Sequence, residues 1–115
     1  IMKIQIGNAI FQVSLANNET AAAFRTLLPM TITMNELNGN EKYYNLSSEL
    51  PTDVYRPGTI RAGDLLLYGS NCVVLFYETF SSPYSYTRIG RVDDPTGLAE
   101  AVGSGRVSVT FSLQE

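Results

Sequence analysis

Four aromatic residues and one cation lie close together in the second half of the chain. Tyr77, Phe80, Tyr84 and Tyr86 are followed by Arg88. Aromatic rings offer large contact areas and tyrosine adds a polar tip, so such a group is typical of a groove that binds a peptide or a flat small molecule. An arginine beside the rings can take a carboxylate or a backbone carbonyl. We therefore predict these five residues as ligand-binding residues.

Each of these residues also has an ordinary structural interpretation. The rings can fill and rim a small domain that contains no tryptophan. Arg88 can pair with an acidic residue on a neighbouring strand. Arg88 and Arg91 are three residues apart, so regular strand alternation puts them on opposite faces, with Arg88 on the face of Tyr84 and Tyr86. The residues alone leave both interpretations open.

Other polar residues are better explained by structure than by chemistry. Asp64, after a glycine, is typical of a turn in which the carboxylate accepts backbone amides. Asp93 and Asp94 with Glu100 suggest a cation site, but Asp94 is better explained as a helix cap. Cys72 lies in an apolar run, which predicts a buried and unreactive thiol.

The absence of histidine removes several reaction classes. The chain has no His and a single Cys, so it cannot hold a Ser-His-Asp or Cys-His arrangement, a histidine-containing metal site or an intrachain disulfide. We predict no catalytic residues, no metal site and no cofactor. The residues do not decide whether the chain is an enzyme, but the missing groups argue against an enzymatic function.

The formal net charge of −3 argues against nucleic acid as a partner. The eight Lys and Arg residues are spread from Lys3 to Arg106 and suggest no basic face. No signal peptide or membrane-spanning apolar run is evident, so we predict no membrane partner and a cytoplasmic location by default. Ile1 before Met2 is unusual for a native start, which leaves export or a longer parent protein open. The sequence predicts no oligomeric state.

The spacing of apolar residues predicts a mainly β chain. Alternating runs around a two-residue turn predict a hairpin over residues 2–15. Two runs at 65–68 and 72–77 are apolar on both faces, which predicts central strands covered on each side. The other alternating runs predict strands over 31–34, 41–46, 84–92 and 107–111, which makes about eight in all.

Two short helices complete the predicted elements. Asn18 can cap a helix over residues 19–28, which Pro29 stops. Asp94-Pro95 predicts the start of a second helix, and Gly103 its end. Antiparallel neighbours with short turns favour one barrel or sandwich over residues 1–115, and helices can close its open ends.

Four segments of the chain carry a family resemblance: TAAAFRTLLP from Thr20, NGNEKYYNL from Asn38, AGDLLLYGSNCVVLFYETF from Ala62, and YSYTRIGRVDDPTGLAEAVGSG from Tyr84. They resemble the bacterial cyclophilin-like domains, a branch largely of unknown function. The resemblance implies one closed antiparallel β-barrel of about eight strands with two short helices, and places Tyr43, Tyr44 and Tyr68 near the aromatic segment.

The resemblance also argues against the obvious activity. True cyclophilin isomerases carry an arginine in a strand after the first helix, and this chain has none between Arg25 and Arg56. The segment similar to their Gln-Phe-Phe strand, residues 72–77, has no glutamine, and Tyr86 stands near the place of their groove histidine. Loss of one such electrostatic donor costs roughly 2.7–4 kcal/mol of transition-state stabilisation, by analogy with oxyanion sites.

Three functional hypotheses follow. The leading one is a non-catalytic module that binds a peptide or a small molecule in the aromatic groove. The second is a weak prolyl isomerase with a replaced active site. The third is a structural or assembly module of a larger protein, pairing through an exposed strand edge.

Overall fold

The computed structural model describes residues 2–113 and contains ten strands and two helices. The strands are β1 (Met2–Ile6), β2 (Ala9–Leu15), β3 (Met30–Leu37), β4 (Glu41–Asn45), β5 (Thr59–Ile60), β6 (Asp64–Tyr68), β7 (Cys72–Phe76), β8 (Phe80–Ser81), β9 (Thr87–Val92) and β10 (Val107–Leu113). The helices are α1 (Glu19–Arg25) and α2 (Leu98–Val102).

Eight of the strands form a closed antiparallel barrel, as the sequence predicts. The order around the barrel is β1-β10-β3-β4-β7-β6-β9-β2, and β2 pairs back with β1. The two remaining strands, β5 and β8, are only two residues long each and pair with one another outside the barrel. The mainly β fold is thus confirmed, with this short two-stranded sheet as an addition that the periodicity did not indicate.

The tight turns lie where the glycines predict them. Gly7 has φ +59° between β1 and β2. Asn38 and Gly39, at φ 58° and 69°, lie in the three-residue connection between β3 and β4, and these left-handed angles favour Asn and Gly. Since the register of a hairpin follows from its turn, these residues help to decide which side chains of β4 point outward.

The helix α1 begins as predicted and ends sooner. The Asn18 side chain accepts a 2.7 Å hydrogen bond from the amide of Ala21. The helix ends at Arg25 rather than residue 28, because the next three amides bond to carbonyls three residues back and form tight turns. Phe24 is fully buried in the barrel core, where its ring meets Phe111 edge-on at 5.5 Å.

The helix α2 begins later than predicted. Its N-cap is Gly97, and the predicted cap Asp94 instead accepts the amide of Thr96 at 3.1 Å. This is the local turn that aspartate side chains commonly make, so the interpretation of Asp94 as the helix cap was wrong. Leu98 and Val102 of α2 lie in the barrel core. The two helices lie at opposite ends of the barrel, because α1 leads into β3 and α2 into β10, which is antiparallel to it.

Apolar side chains form two clusters, one on each side of strands β6 and β7. Leu65, Leu67, Val73 and Leu75 point into the barrel core. The alternate residues point outward and pack under the β5–β8 sheet, as the double-sided apolar pattern predicts. This outer cluster consists of Ile60, Leu66, Val74, Phe76 and Tyr86.

The predicted strand 84–92 is shorter and contains a bulge. Its first part is an isolated bridge in which Tyr86 exchanges two backbone hydrogen bonds with Tyr55, at 2.8 and 2.9 Å. In β9, Gly90 pairs with Leu65 and Arg88 with Leu66, so one residue of β9 has no partner on β6. A bulge of this kind reverses the alternation of side chains along the strand.

Candidate functional site

An open pocket lies on the outer face of β4, β7 and β6, with a volume of about 370 Å³. Its floor is two rows of outward-facing residues. In one row Tyr43 pairs with Val74, and in the other Cys72 lies between Asn45 and Tyr68. We call this site the aromatic pocket. The resemblance had placed Tyr43 and Tyr68 near the aromatic segment, and both line the pocket.

Three of the five predicted ligand-binding residues form one wall of the aromatic pocket. Phe80, Tyr84 and Tyr86 all line it. Tyr68 is 6.2 Å from Tyr84 and 5.6 Å from Tyr86, measured between ring centroids, so the floor and the wall form one aromatic surface. Tyr86 is mostly buried and its ring packs edge-on against Phe76 at 5.7 Å.

The pocket rim carries one acidic side chain and no basic one among the described residues. Glu41 stands beside Leu37 and Asn38 at the end of the β3–β4 turn. Burial raises the pKa of the Glu41 carboxyl, and the nearby charge of Glu36 raises it further. The ionised form of Glu41 gives this rim a negative charge.

Cys72 is half-buried in the pocket floor rather than enclosed in the core. The predicted burial of the thiol was therefore wrong, because Cys72 occupies an outward-facing position of β7 and lies at this surface. Burial raises the pKa of the thiol, and Glu41 raises it further, which disfavours the reactive thiolate.

Tyr77, the fourth predicted ligand-binding residue, lies on the other side of the sheet. Phe76 points outward, so the next residue points into the barrel. The Tyr77 hydroxyl donates a 2.7 Å hydrogen bond to Oε1 of Glu36. Burial raises the pKa of this hydroxyl to about 12, and the bond to Glu36 adds to the effect.

Tyr77 belongs to a buried polar cluster that the sequence analysis missed. The Lys42 ammonium is fully buried and donates to Glu36 at 2.8 Å and to the carbonyls of Gly103 and Gly105 at 2.9 and 2.6 Å. All three N–H donors of the ammonium thus have an acceptor. The bonds to Gly103 and Gly105 hold the segment after α2 against the end of the barrel. Because the ammonium is fully buried and bonded only to groups of the protein in these three contacts, its role here is structural. The one sequence signal for this cluster is a lysine, Lys42, at a strand position whose side chain points into the barrel.

Arg88, the fifth predicted residue, faces outward but away from the aromatic pocket. Its guanidinium donates a 3.1 Å hydrogen bond to the hydroxyl of Tyr55 and lies 5.3 Å from the centroid of that ring. The prediction that Arg91 points to the opposite face was wrong, because the bulge in β9 puts both arginines on the outer face. Arg91 pairs there with Asp64, at 3.4 Å from Nε to Oδ1.

Asp64 has the turn role that the sequence predicts. Its Oδ2 accepts the amide of Arg61 at 3.0 Å.

Within residues 2–113 no group of three or more acidic or cysteine side chains is placed to hold a metal ion. No helix in the same range is long and apolar enough to cross a membrane.

The closed eight-stranded barrel with a helix at each end defines the class of fold, and comparison with known proteins assigns the family. The chain belongs to the Cyclophilin-like family, whose profile matches residues 4–112. A similar solved structure is the solution structure of a hypothetical protein from Archaeoglobus fulgidus, with 21% identity, a TM-score of 0.62, and coverage of 96% of this chain and 92% of that one. No curated protein matched the chain.

Proposed function

We propose that the protein is a non-catalytic binding module whose aromatic pocket takes an apolar group of a peptide or small molecule. The observation that carries this proposal is the distribution of exposed apolar side chains. Six large hydrophobic residues are exposed among those described, and three of them, Leu37, Tyr68 and Tyr84, line this one pocket. Scattered exposed apolar residues need no explanation, whereas a cluster around a concave surface is typical of a binding site.

The charge of the pocket indicates which ligands it prefers. Glu41 is the charged residue on the rim, and five aromatic rings line the rest. Aromatic faces and a carboxylate both attract cations and disfavour anions. The preferred ligand is therefore neutral or positively charged, such as an aromatic amine or a basic side chain beside an apolar one.

The pocket offers little for catalysis. Its lining contains no arginine, lysine or histidine to stabilise a developing negative charge. Its one carboxyl is that of Glu41, and the pKa values of the Cys72 thiol and the Tyr86 hydroxyl in the same lining are raised, which disfavours their nucleophilic forms. These features favour binding over the isomerase hypothesis.

The test is a titration of the ¹⁵N-labelled protein with three indole compounds of the same shape. Tryptamine is a cation, indole-3-ethanol is neutral and indole-3-acetate is an anion. We expect saturable shifts at the amides of Tyr68 and Tyr84, with the acetate binding at least tenfold more weakly than tryptamine. Short Xaa-Pro peptides with and without a lysine form a second arm, in which prolyl exchange is measured in the same samples.

The variant Tyr68→Ser/Tyr84→Ser should lose this binding, because it removes two exposed rings with little effect on the core. Ile10→Ser is the matched control, since Ile10 is also exposed, at 57%, but lies outside the pocket. The proposal fails if no probe shifts the pocket amides saturably, or if the double variant binds as well as the parent. Acceleration of prolyl exchange would replace it with the isomerase hypothesis.

A further inference from the structure

We propose a second binding site, an arginine groove that holds the oxyanion group of a small molecule. The groove has a volume of about 440 Å³ and is separate from the aromatic pocket. Its ligand would carry a phosphate or a carboxylate. The residues that make the groove are Arg56, Arg61, Arg88, Arg91, Tyr55 and Asp64.

The first argument is the concentration of positive charge. The chain has a net charge of −3 and eight Lys and Arg residues, and four of those eight line this groove. Asp64 is the acidic residue that lines it. The groove is therefore positive on an otherwise acidic protein, although the sequence shows no basic cluster. The expectation that the cations form no basic face was wrong, because the fold gathers arginines that are up to 35 positions apart.

The second argument is that most of these arginines have no acidic partner. Within residues 2–113, the only ion pair that involves a residue of the groove is the one between Arg91 and Asp64. Asp64 is buried, and its other oxygen is occupied by the backbone amide of Arg61. Arg56, Arg61 and Arg88 are exposed and lie in the groove without a carboxylate within ion-pair distance in the described chain.

The third argument is that one of the free guanidinium groups is held in place. Arg88 is bonded to the Tyr55 hydroxyl and lies over the Tyr55 ring. Tyr55 in turn is fixed by its backbone bridge to Tyr86. A guanidinium that is already ordered loses less side-chain entropy when it binds.

The side-chain type indicates the ligand. Arginine presents a planar fork of donors that fits the two oxygens of a carboxylate or phosphate, and it stays charged at all ordinary pH values. Neighbouring arginines repel one another, and a bound dianion would offset that repulsion. A groove of about 440 Å³ suits a single oxyanion group better than an extended polyanion.

The bulge in β9 creates the groove. Without the extra residue, Arg88 and Arg91 would alternate to opposite faces of the strand. With it, Arg91 faces Asp64 and Arg88 faces Leu66 on the same outer side. The loop 55–61 then supplies the other two arginines opposite them.

The test is a titration of the ¹⁵N-labelled protein with inorganic phosphate, citrate and phenyl phosphate at an ionic strength held constant with chloride. We expect saturable shifts at the amides of Tyr55, Arg61 and Arg88. Tighter binding of phosphate or phenyl phosphate would identify a phosphorylated ligand, and tighter binding of citrate a polycarboxylate. The variant Arg61→Gln/Arg88→Gln should bind at least tenfold more weakly.

Arg106→Gln is the control, since Arg106 is an exposed arginine outside the groove and should leave the affinity unchanged. The proposal is overturned if the shifts follow ionic strength whatever the anion, or if the double variant binds as the parent does. Much tighter binding of a short single-stranded oligonucleotide than of every small anion would also overturn it in favour of a nucleic-acid surface.

Discussion

Gly90 pairs with Leu15 at a close approach of strands β2 and β9. A Cβ atom added to Gly90 would be 2.6 Å from the carbonyl oxygen of Ser14 and 3.3 Å from Cα of Leu15. Both contacts are to backbone, so they cannot be relieved by a change of rotamer. The glycine permits the close pairing beside the bulge, and with it the direction of Arg88.

We predict that Gly90→Ala lowers the free energy of unfolding by about 1–3 kcal/mol, the usual cost of overpacking a rigid site. Urea unfolding measures this directly. Gly105→Ala is the matched control, because its Cβ would meet nothing within 4 Å and no left-handed backbone angle is involved. Equal effects of the two substitutions would show that steric contact is not the reason for glycine at position 90.

The buried cluster at the barrel end depends on the ionised state of Glu36. Burial raises the pKa of this carboxyl, but the bonds from Lys42, Tyr77 and the amide of Gly39 together outweigh that effect, so the pKa lies below its ordinary value of 4.5. A lowered pKa in the folded state contributes stability that is fully present above the unfolded pKa. That stability is lost as the pH falls through the folded value.

We therefore predict that Glu36→Gln destabilises the protein at pH 7 by about 1–3 kcal/mol, the range for hydrogen bonds to charged groups. The gap to the parent should be smaller at an acid pH below the lowered pKa of Glu36 than at pH 7, because the parent carboxyl is then protonated as well. Urea unfolding at both pH values tests this, with the exposed Glu78→Gln as control. A gap of equal size at both pH values would contradict the role of charge.

At the scale of elements, the β5–β8 sheet acts as a cover over the outer cluster. Ile60 of β5 is fully buried in this cluster, and Phe80 of β8 packs against Phe76 at 5.7 Å between centroids. Each strand of the cover is two residues long, and the amide of Ser82 donates to the carbonyl of Gly58 at 2.8 Å beside their pairing. A short sheet of this kind is expected to open more easily than the barrel.

We predict that Phe80→Ala accelerates amide hydrogen exchange at Ser82 and Tyr86 by at least tenfold and leaves the amides of β1 and β2 nearly unchanged. The reason is that Phe80 packs on the outer cluster, which is separated from the barrel core by the sheet itself. Val54→Ala, an exposed change in the nearby loop, is the control. A uniform increase over all strands would mean that the two clusters open as one unit.

The same elements show what the sequence could predict. The cap at Asn18 and the turn at Gly7 depend on neighbouring residues, and both were predicted correctly. The bulge in β9 and the strands β5 and β8 depend on partners far along the chain, and a two-residue strand has no measurable period. These features had no local signal.

The candidate site was predicted in part for a related reason. Phe80, Tyr84 and Tyr86 lie in a connection outside the barrel and were grouped correctly by their nearness in sequence. Tyr77 was grouped with them, but it follows a strand that is apolar on both faces, so the pattern does not show which face is the interior. The structure assigns Phe76 to the outside and Tyr77 to the inside.

At the scale of the whole molecule, the barrel and its outer cover give two different surfaces. The aromatic pocket is apolar with an acidic rim, and the arginine groove is positive. The bridge between Tyr55 and Tyr86 joins them, since Tyr55 lines the groove and Tyr86 lines the pocket. Their opposite charges mean that the two sites favour different chemical groups.

The closure of the barrel has a consequence for how the chain folds during synthesis. β1 pairs with β2 on one side and with β10 on the other, so Ile4 lies between Phe11 and Phe111. Until residues 107–113 have left the ribosome, β1 has an open edge that can pair with another chain. Pairing across such a long sequence separation is also slow to form, typically about milliseconds to seconds for non-local β topologies. The nascent hairpin thus carries an unpaired edge until the last strand of the barrel is made.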